Sequence, residues 1–398
     1  MTIRLLSIFM LSFLFLFFST CKKSTNPIAT HGNLALINGT LIDGTGGNPI
    51  SKAAIIIEKD LITAVGKLSE MEPPPDAEII DVKGATILPG FFNTHVHGGY
   101  SEYNLQTWAQ SGVTTVRDVG ANPKNNLFYH RDRLLKNISN ARLIAAGPML
   151  TAPEGYPIAI FNSPVGFELF SVEDARQKGE QLFDDGADVI KLTIESGALW
   201  NQKVPYLSHE VASEVVKVTH ERGSKVTVHI TVSQDLERAL NAGVDDIAHM
   251  AVDTVPDKLI QRMVNENVYW VPTLELWKCT GSGNIAISNL RKFVNAGGKV
   301  ALGTDFEGYT CDWDLGMPMT EIKAMQEAGM TPSQIIVAAT KHGAYVCNLE
   351  DELGTLEAGK IADVIVVDGN PLEDMDNLMN IRMVIHSGDI IRDGKKSK

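Results

Sequence analysis

Eight short apolar runs, rich in Val and Ile and without strict alternation, punctuate the middle of this chain. They are Phe91–His95, Val113–Asp118, Arg142–Gly147, Asp188–Ile194, Lys225–Ile230, Asp246–Met250, Val268–Leu274 and Val300–Asp305. Runs of this kind are expected of parallel strands covered on both faces. Helical patterns separate most of them, among them Val172–Asp185, Glu210–Arg222 and Gln234–Asn241. Gly186, Gly223 and Gly243 stand between those helices and the next strand. A glycine past a helix C-terminus, followed directly by a strand, is the connection that a (β/α)8 barrel repeats. An open doubly wound sheet is the other arrangement for such a pattern, but no Gly-x-Gly-x-x-Gly follows the first strand. The pattern therefore predicts an α/β chain with a (β/α)8 (TIM) barrel over residues 89–353, close to the ~250 residues typical of that fold.

Both ends of the chain read differently. Leu34–Asp43, Ala53–Glu58, Asp363–Asp368 and Met383–Gly388 look like strands joined by Gly-rich turns. Two all-β stretches at opposite ends can share one sheet, which predicts a small β-sandwich from residues 33–88 plus 354–398. Ahead of it, Arg4 precedes a nearly unbroken apolar run from Leu5 to Phe18. That run is short for a membrane span of ~20 residues and has the layout of a secretory signal, placed at residues 1–20. Phe18-Ser19-Thr20-Cys21 follows and resembles a bacterial lipoprotein signal, in which Cys21 becomes the lipidated first residue. Phe18 and Thr20 depart from the usual residues there, and an ordinary cleaved signal or an uncleaved anchor fits the same run. Residues 21–32 form a polar tether. The expected location is the cell envelope, membrane-anchored through lipid and facing the periplasm or exterior.

Composition narrows the class. Of 398 residues, 44% are hydrophobic and 21% charged, which excludes wholesale disorder and a polytopic membrane protein. The 35 Lys plus Arg against 48 Asp plus Glu leave a charge of −13, a poor match for phosphate backbones, so nucleic acid is not an expected partner. A small-molecule substrate is. Four cysteines in a chain this long do not make a disulfide scaffold; Cys279 and Cys311 are the pair an oxidising compartment would allow to join, and Cys347 reads as a small buried hydrophobe.

Candidate chemistry sits where barrel strands end, the place of active sites in that fold. The first strand ends in His95-Val96-His97, and residues two apart on an extended chain point the same way. The fifth ends in His229, the sixth in His249, the eighth in Asp305; the fourth carries Lys191 within an apolar run. A lone histidine at a strand end is commonly structural, but imidazoles and a carboxylate converging on one cavity are metal ligands suited to zinc and similar divalent ions. The other six histidines (His31, His130, His209, His220, His342 and His386) receive no role. Two readings of Lys191 stand side by side. Burial and positive neighbours lower a lysine pKa, and a neutral amine can add carbon dioxide to give an anionic carbamate that bridges two metals. Alternatively the lysine snorkels toward the barrel mouth or binds a substrate anion.

Five motifs carry a family resemblance: Leu88-Pro-Gly-Phe-Phe-Asn-Thr-His-Val-His97, Gly112-Val-Thr-Thr-Val-Arg-Asp-Val-Gly120, Asp245-Asp-Ile-Ala-His249, Gly303-Thr-Asp305 and Leu353-Gly-Thr-Leu-Glu-Ala-Gly-Lys-Ile-Ala-Asp-Val-Ile-Val-Val367. On these the chain resembles the amidohydrolase superfamily, nearest its imidazolonepropionase-like and Xaa-Pro dipeptidase-like (prolidase-like) branch. The resemblance implies two divalent ions, zinc above all, with His95, His97 and Asp305 on the more buried one. His229 and His249 would hold the more exposed ion, and carbamylated Lys191 would bridge the two. It implies a hydrolase that splits a C–N amide bond in a dipeptide such as Xaa-Pro, an N-acyl amino acid or a cyclic amide. The nucleophile would be a metal-bridging hydroxide, with Asp305 as general acid–base. Phosphoester or ester hydrolysis on the same binuclear site, or a non-catalytic ligand-binding lipoprotein, are the alternatives, and a homo-oligomer is compatible with the chain.

Two departures stand out: Thr231 replaces a second histidine of the dipeptidase-like relatives, and Thr151-Ala-Pro-Glu-Gly-Tyr-Pro157 replaces their Gly-Gly-His element. Val232 stands where deaminating members carry a glutamate, which argues against deamination. Tyr100, Tyr156, Trp200, Lys203 and Trp277 are the expected holders of a substrate ring or carboxylate.

Overall fold

The computed structural model describes residues 32–394; the signal segment, Cys21 and the tether up to His31 lie outside the described residues. Strands from both ends of the chain build one eight-stranded sheet. Leu34–Leu41, Ile50–Glu58, Leu61–Lys67, Glu78–Asp81 and Thr86–Pro89 join Val364–Val367, Ile381–His386 and Asp389–Asp393. Thr86–Pro89 pairs with Val364–Val367 on one side and Leu34–Leu41 on the other, so the two ends of the chain interleave. The sheet curls on itself. Ile62 N donates to Lys360 O and Ala362 N to Asp60 O, each at 2.8 Å, just ahead of Val364–Val367. A core of Leu34, Leu36, Ile55, Ile57, Val364 and Ile385 is enclosed. Where the sequence suggests a small β-sandwich, the strands of the two termini form one curled sheet.

Alternate positions on the same strands look the other way. Ile87, Val364, Val366 and Ile385 face the sheet's own core, while Leu88, Ile365, Val367 and Val384 pack into the larger core of the middle segment. Both faces are covered, which is why these strands read as apolar runs.

Parallel ladders join Phe91–Val96, Val113–Asp118 and Arg142–Ala145 in order, and then Ile190–Thr193, Val226–His229, Asp246–Ala248 and Tyr269–Val271. Backbone hydrogen bonds close the ring at both gaps. Asp188 N donates to Ala145 O at 2.9 Å; across the other gap Ala301 N donates to Trp270 O at 3.0 Å and Asp305 N to His95 O at 2.9 Å. The expected eighth strand, Val300–Asp305, is bonded on both sides without a continuous ladder, since only the bridges Trp270–Val300 and Val96–Phe306 form. Asp305 at φ +69° turns the chain out of the extended region and breaks the pairing.

Val172–Asp185 is a helix, with the Ser171 side chain accepting from Asp174 N and Gly186 at φ +116° ending it. The other two predicted helices run His209–Glu221 and Ser233–Ala242, offset by one residue at their ends. Inside the barrel Arg117 grips Asp246 with two hydrogen bonds of 2.9 Å, and both side chains are fully buried. Such a pair cancels its own charge and holds two facing strands in register.

Candidate active site

Five of the six side chains singled out above sit at or just past the C-terminal end of a barrel segment, Lys191 lies within the strand Ile190–Thr193, and all six line one cavity of about 540 Å³. His95 and His97 leave the first strand with ring centroids 5.3 Å apart, and both Nε2 atoms approach Asp305 Oδ1 at 3.1 Å. His249 lies 4.7 Å, centroid to centroid, from His95 and the same distance from His229. Ligand atoms of His95, His249 and Asp305 fall within 4.8 Å of one another. His249 and Asp305 both hold positive φ, +70° and +69°. For non-glycine residues that costs about 1–3 kcal/mol each, a strain concentrated at functional sites.

Burial pulls the His95 and His249 imidazoles well below their usual pKa, with Lys191 adding to the effect on His95. Burial alone would push the Asp305 carboxyl up, but His249 and His95, whose Nε2 lies 3.1 Å away, outweigh it and hold the group well below the ordinary carboxylate range. Lys191 is brought down to about 7, first by burial and then by Arg117, against the opposing pull of Asp305.

The residues present fit divalent ions. His95 Nδ1 and Nε2, Lys191 Nζ, His229 Nε2 and Asp305 Oδ1 are buried without a hydrogen-bond partner among the described residues. Orphaned donor and acceptor atoms gathered in one cavity are costly unless a ligand satisfies them. Neighbours fix two of the rings: His97 Nδ1 donates to Gly120 O at 3.2 Å, and His249 Nδ1 meets Thr273 Oγ1 at 3.0 Å. Both arrangements leave Nε2 turned to the cavity, the orientation that outer-shell partners give to metal-bound histidines.

Of the expected substrate holders, Tyr156, Trp200 and Trp277 line the cavity, and the Tyr156 ring stacks on His229 at 4.0 Å and 15°. Tyr100 and Lys203 are not among the lining residues. The Tyr100 ring stacks instead on His130 at 6.2 Å, turned away by the loop after His97, and Lys203 is exposed.

Sequence reasoning passed over Glu195. Its Oε2 lies 3.5 Å from His229 Nε2 and accepts from Thr231 Oγ1 at 2.6 Å, while Oε1 accepts from Gly197 N at 2.6 Å. The available signal was an acid at the C-terminal edge of a barrel strand, the same signal that pointed to Asp305. Asp118, at the end of the second strand, shapes the loop around His97 by accepting from Gly99 N and Gly120 N. Cys279 and Cys311 are disulfide-bonded, tying the helix Leu274–Thr280 to the segment after Asp305.

A barrel with imidazoles and a carboxylate at its strand ends and a depressed lysine within a strand is the arrangement of a hydrolase. Residues 86–391 match the Amidohydrolase family, and the chain belongs to that family. It is 25% identical to an ochratoxinase of Aspergillus niger over 87% of this chain and 84% of that protein. An imidazolonepropionase of Porphyromonas gingivalis is also 25% identical, over 87% of this chain and 88% of its own length. The crystal structure of a Xaa-Pro dipeptidase with bound methionine in the active site matches at TM-score 0.79 and 26% identity, covering 90% of this chain and 99% of that one.

Proposed function

We propose that this protein hydrolyses a C–N amide bond, with two divalent ions, zinc foremost, held in the cavity by the six residues described. His95, His97 and Asp305 would hold one ion, His229 and His249 the other, and carbamylated Lys191 would bridge them. When bound, such ions supply an activated water and a Lewis acid for the scissile carbonyl. The observation that carries this reading is the set of buried, unpartnered atoms on His95, Lys191, His229 and Asp305 around one cavity. With a pKa brought to about 7, the Lys191 amine is in large part neutral at physiological pH. Its lone pair forms a C–N bond to carbon dioxide, one proton leaves, and the product is a carbamate of charge −1. Asp305, held ionised, accepts a proton at a carboxylate oxygen and delivers it to the departing amine nitrogen. The ochratoxinase, imidazolonepropionase and Xaa-Pro dipeptidase likenesses support amide chemistry for this chain as well.

Metal analysis of protein lacking residues 1–21, purified with zinc and bicarbonate, tests the site. Two ions per chain are expected, with Lys191→Ala retaining at most one and losing activity on amides. One ion in the wild type together with full activity in the variant would overturn the bridged pair. Cleavage of a phosphotriester with inertness toward every amide would move the activity to phosphoester hydrolysis.

Export and a lipid anchor on Cys21 complete the proposal. The Cys279–Cys311 disulfide supports export, because such bonds persist in oxidising compartments. Cys21→Ser is expected to shift the mature protein from the membrane fraction to the soluble one; retention in the membrane would refute lipidation at that residue.

A further inference from the structure

The cavity pairs its polar floor with aromatic walls. Tyr156 and Trp200 stack with centroids 5.6 Å apart at 24°, and Phe161 stands edge-on to both at 5.9 Å. Phe161 and Tyr309 close the far side at 6.5 Å and remain 45% and 51% exposed at the mouth. Apolar rings left open to water around a cavity are a cost to the free protein and a gain once a flat ligand covers them. Charge is distributed just as unevenly. Among the described residues that line the cavity Lys191 is the sole Lys or Arg, and it belongs to the proposed metal site. The one charged lining side chain outside that site is the carboxylate of Glu307. A substrate carboxylate lodged between these walls, away from the proposed ions, would lose its hydration with no guanidinium or ammonium to replace it, and would face a like charge.

From this arrangement we propose that the amide cleaved here carries an uncharged aromatic or flat apolar group and no free carboxylate, with Tyr156 and Trp200 as the residues that select it. The inference rests on the amide-hydrolase reading and narrows its substrate class. Free dipeptides and N-acyl amino acids fall outside it, whereas uncharged linear or cyclic amides with an aryl or alkyl face fall within.

Two acetanilides of matched size and shape test it: 4-acetamidobenzamide, which is neutral, and 4-acetamidobenzoate, which is anionic. Calorimetric titration of the zinc-loaded full-length chain is expected to give at least tenfold tighter binding of the neutral probe. Trp200→Ala should weaken the neutral probe at least threefold and leave the anionic one within twofold. Equal or tighter binding of the benzoate, binding of neither probe at ~10 mM, or an unchanged neutral affinity in Trp200→Ala would each overturn the proposal. Amine release from the same pair is followed separately. A retained binding preference with no turnover of any amide defeats the hydrolase reading alone. Turnover that favours the benzoate defeats the substrate class alone.

Discussion

Close approach governs the site at the scale of single residues. A Cβ built on Gly308 would lie 2.4 Å from both carboxylate oxygens of Asp305, well inside contact distance. Gly308→Ala must therefore displace the carboxylate. Because misplacement of a reacting group by about 1 Å can cost 10²-fold, turnover is expected to fall about a hundredfold with little change in melting temperature. Kinetics and thermal denaturation on the same preparation check this. Farther from the chemistry, Glu321 is fully buried and accepts from Glu275 N at 2.7 Å, and burial pushes its carboxyl up to about 8. The folded state thus keeps a proton that an unfolded glutamate, with a pKa of about 4.3, releases. Stability from this residue is greatest below the unfolded value and declines as pH climbs toward about 8, at up to about 1.4 kcal/mol per pH unit. Glu321→Gln keeps an acceptor for the Glu275 N–H without the charge. Urea denaturation of the variant between pH 5 and pH 8 should accordingly show a flatter stability profile than the wild type.

Elements meet at the cavity mouth, and one covalent link holds them. The disulfide between Cys279 and Cys311 spans 32 residues of sequence, a loop whose closure is worth about 3–4 kcal/mol on chain-entropy grounds. On one side of it the helix Leu274–Thr280 presents Trp277 to the cavity; on the other the segment after Asp305 presents Tyr309. Replacing both cysteines by serine should lower stability by about that amount and raise KM more than it lowers kcat. A reduced melting temperature with KM unmoved would confine the bond to stability. Local signals made many elements legible. Ser171 and Gly186 bracket Val172–Asp185 because a cap and a left-handed glycine act within one helical turn. Val113–Asp118 was legible too, from the β-branched run Val-Thr-Thr-Val at its start. The segment from Val300 to Asp305 was not, because its departure from a ladder depends on a φ value at Asp305 that the residue type does not favour.

For the whole molecule, the barrel and the sheet of the termini are joined through a buried polar crossing as well as through apolar faces. Arg142, on the third barrel strand, donates to Asp363 at 2.8 Å and to Ser387 Oγ at 3.0 Å, both contributed by the C-terminal part of the chain. Arg142→Ala removes the guanidinium from a carboxylate that is 4% exposed and leaves it the Ser387 N–H at 2.8 Å and His386 at 3.8 Å, so a loss of about 3 kcal/mol is expected. A free-energy loss of less than about 1 kcal/mol in urea denaturation would show that water or a neighbour takes over the partnership.

Sequence by itself determined the barrel's apolar runs, the ligand-type residues at their ends and the Cys pair available for bonding, because these depend on residue type and short-range spacing. Tertiary structure alone decided that Tyr156 rather than Tyr100 faces the cavity, that Glu195 reaches His229, and that the walls carry rings but no spare cation. Those outcomes hinge on which way side chains point when segments tens of residues apart come together, and no local pattern encodes a contact between them.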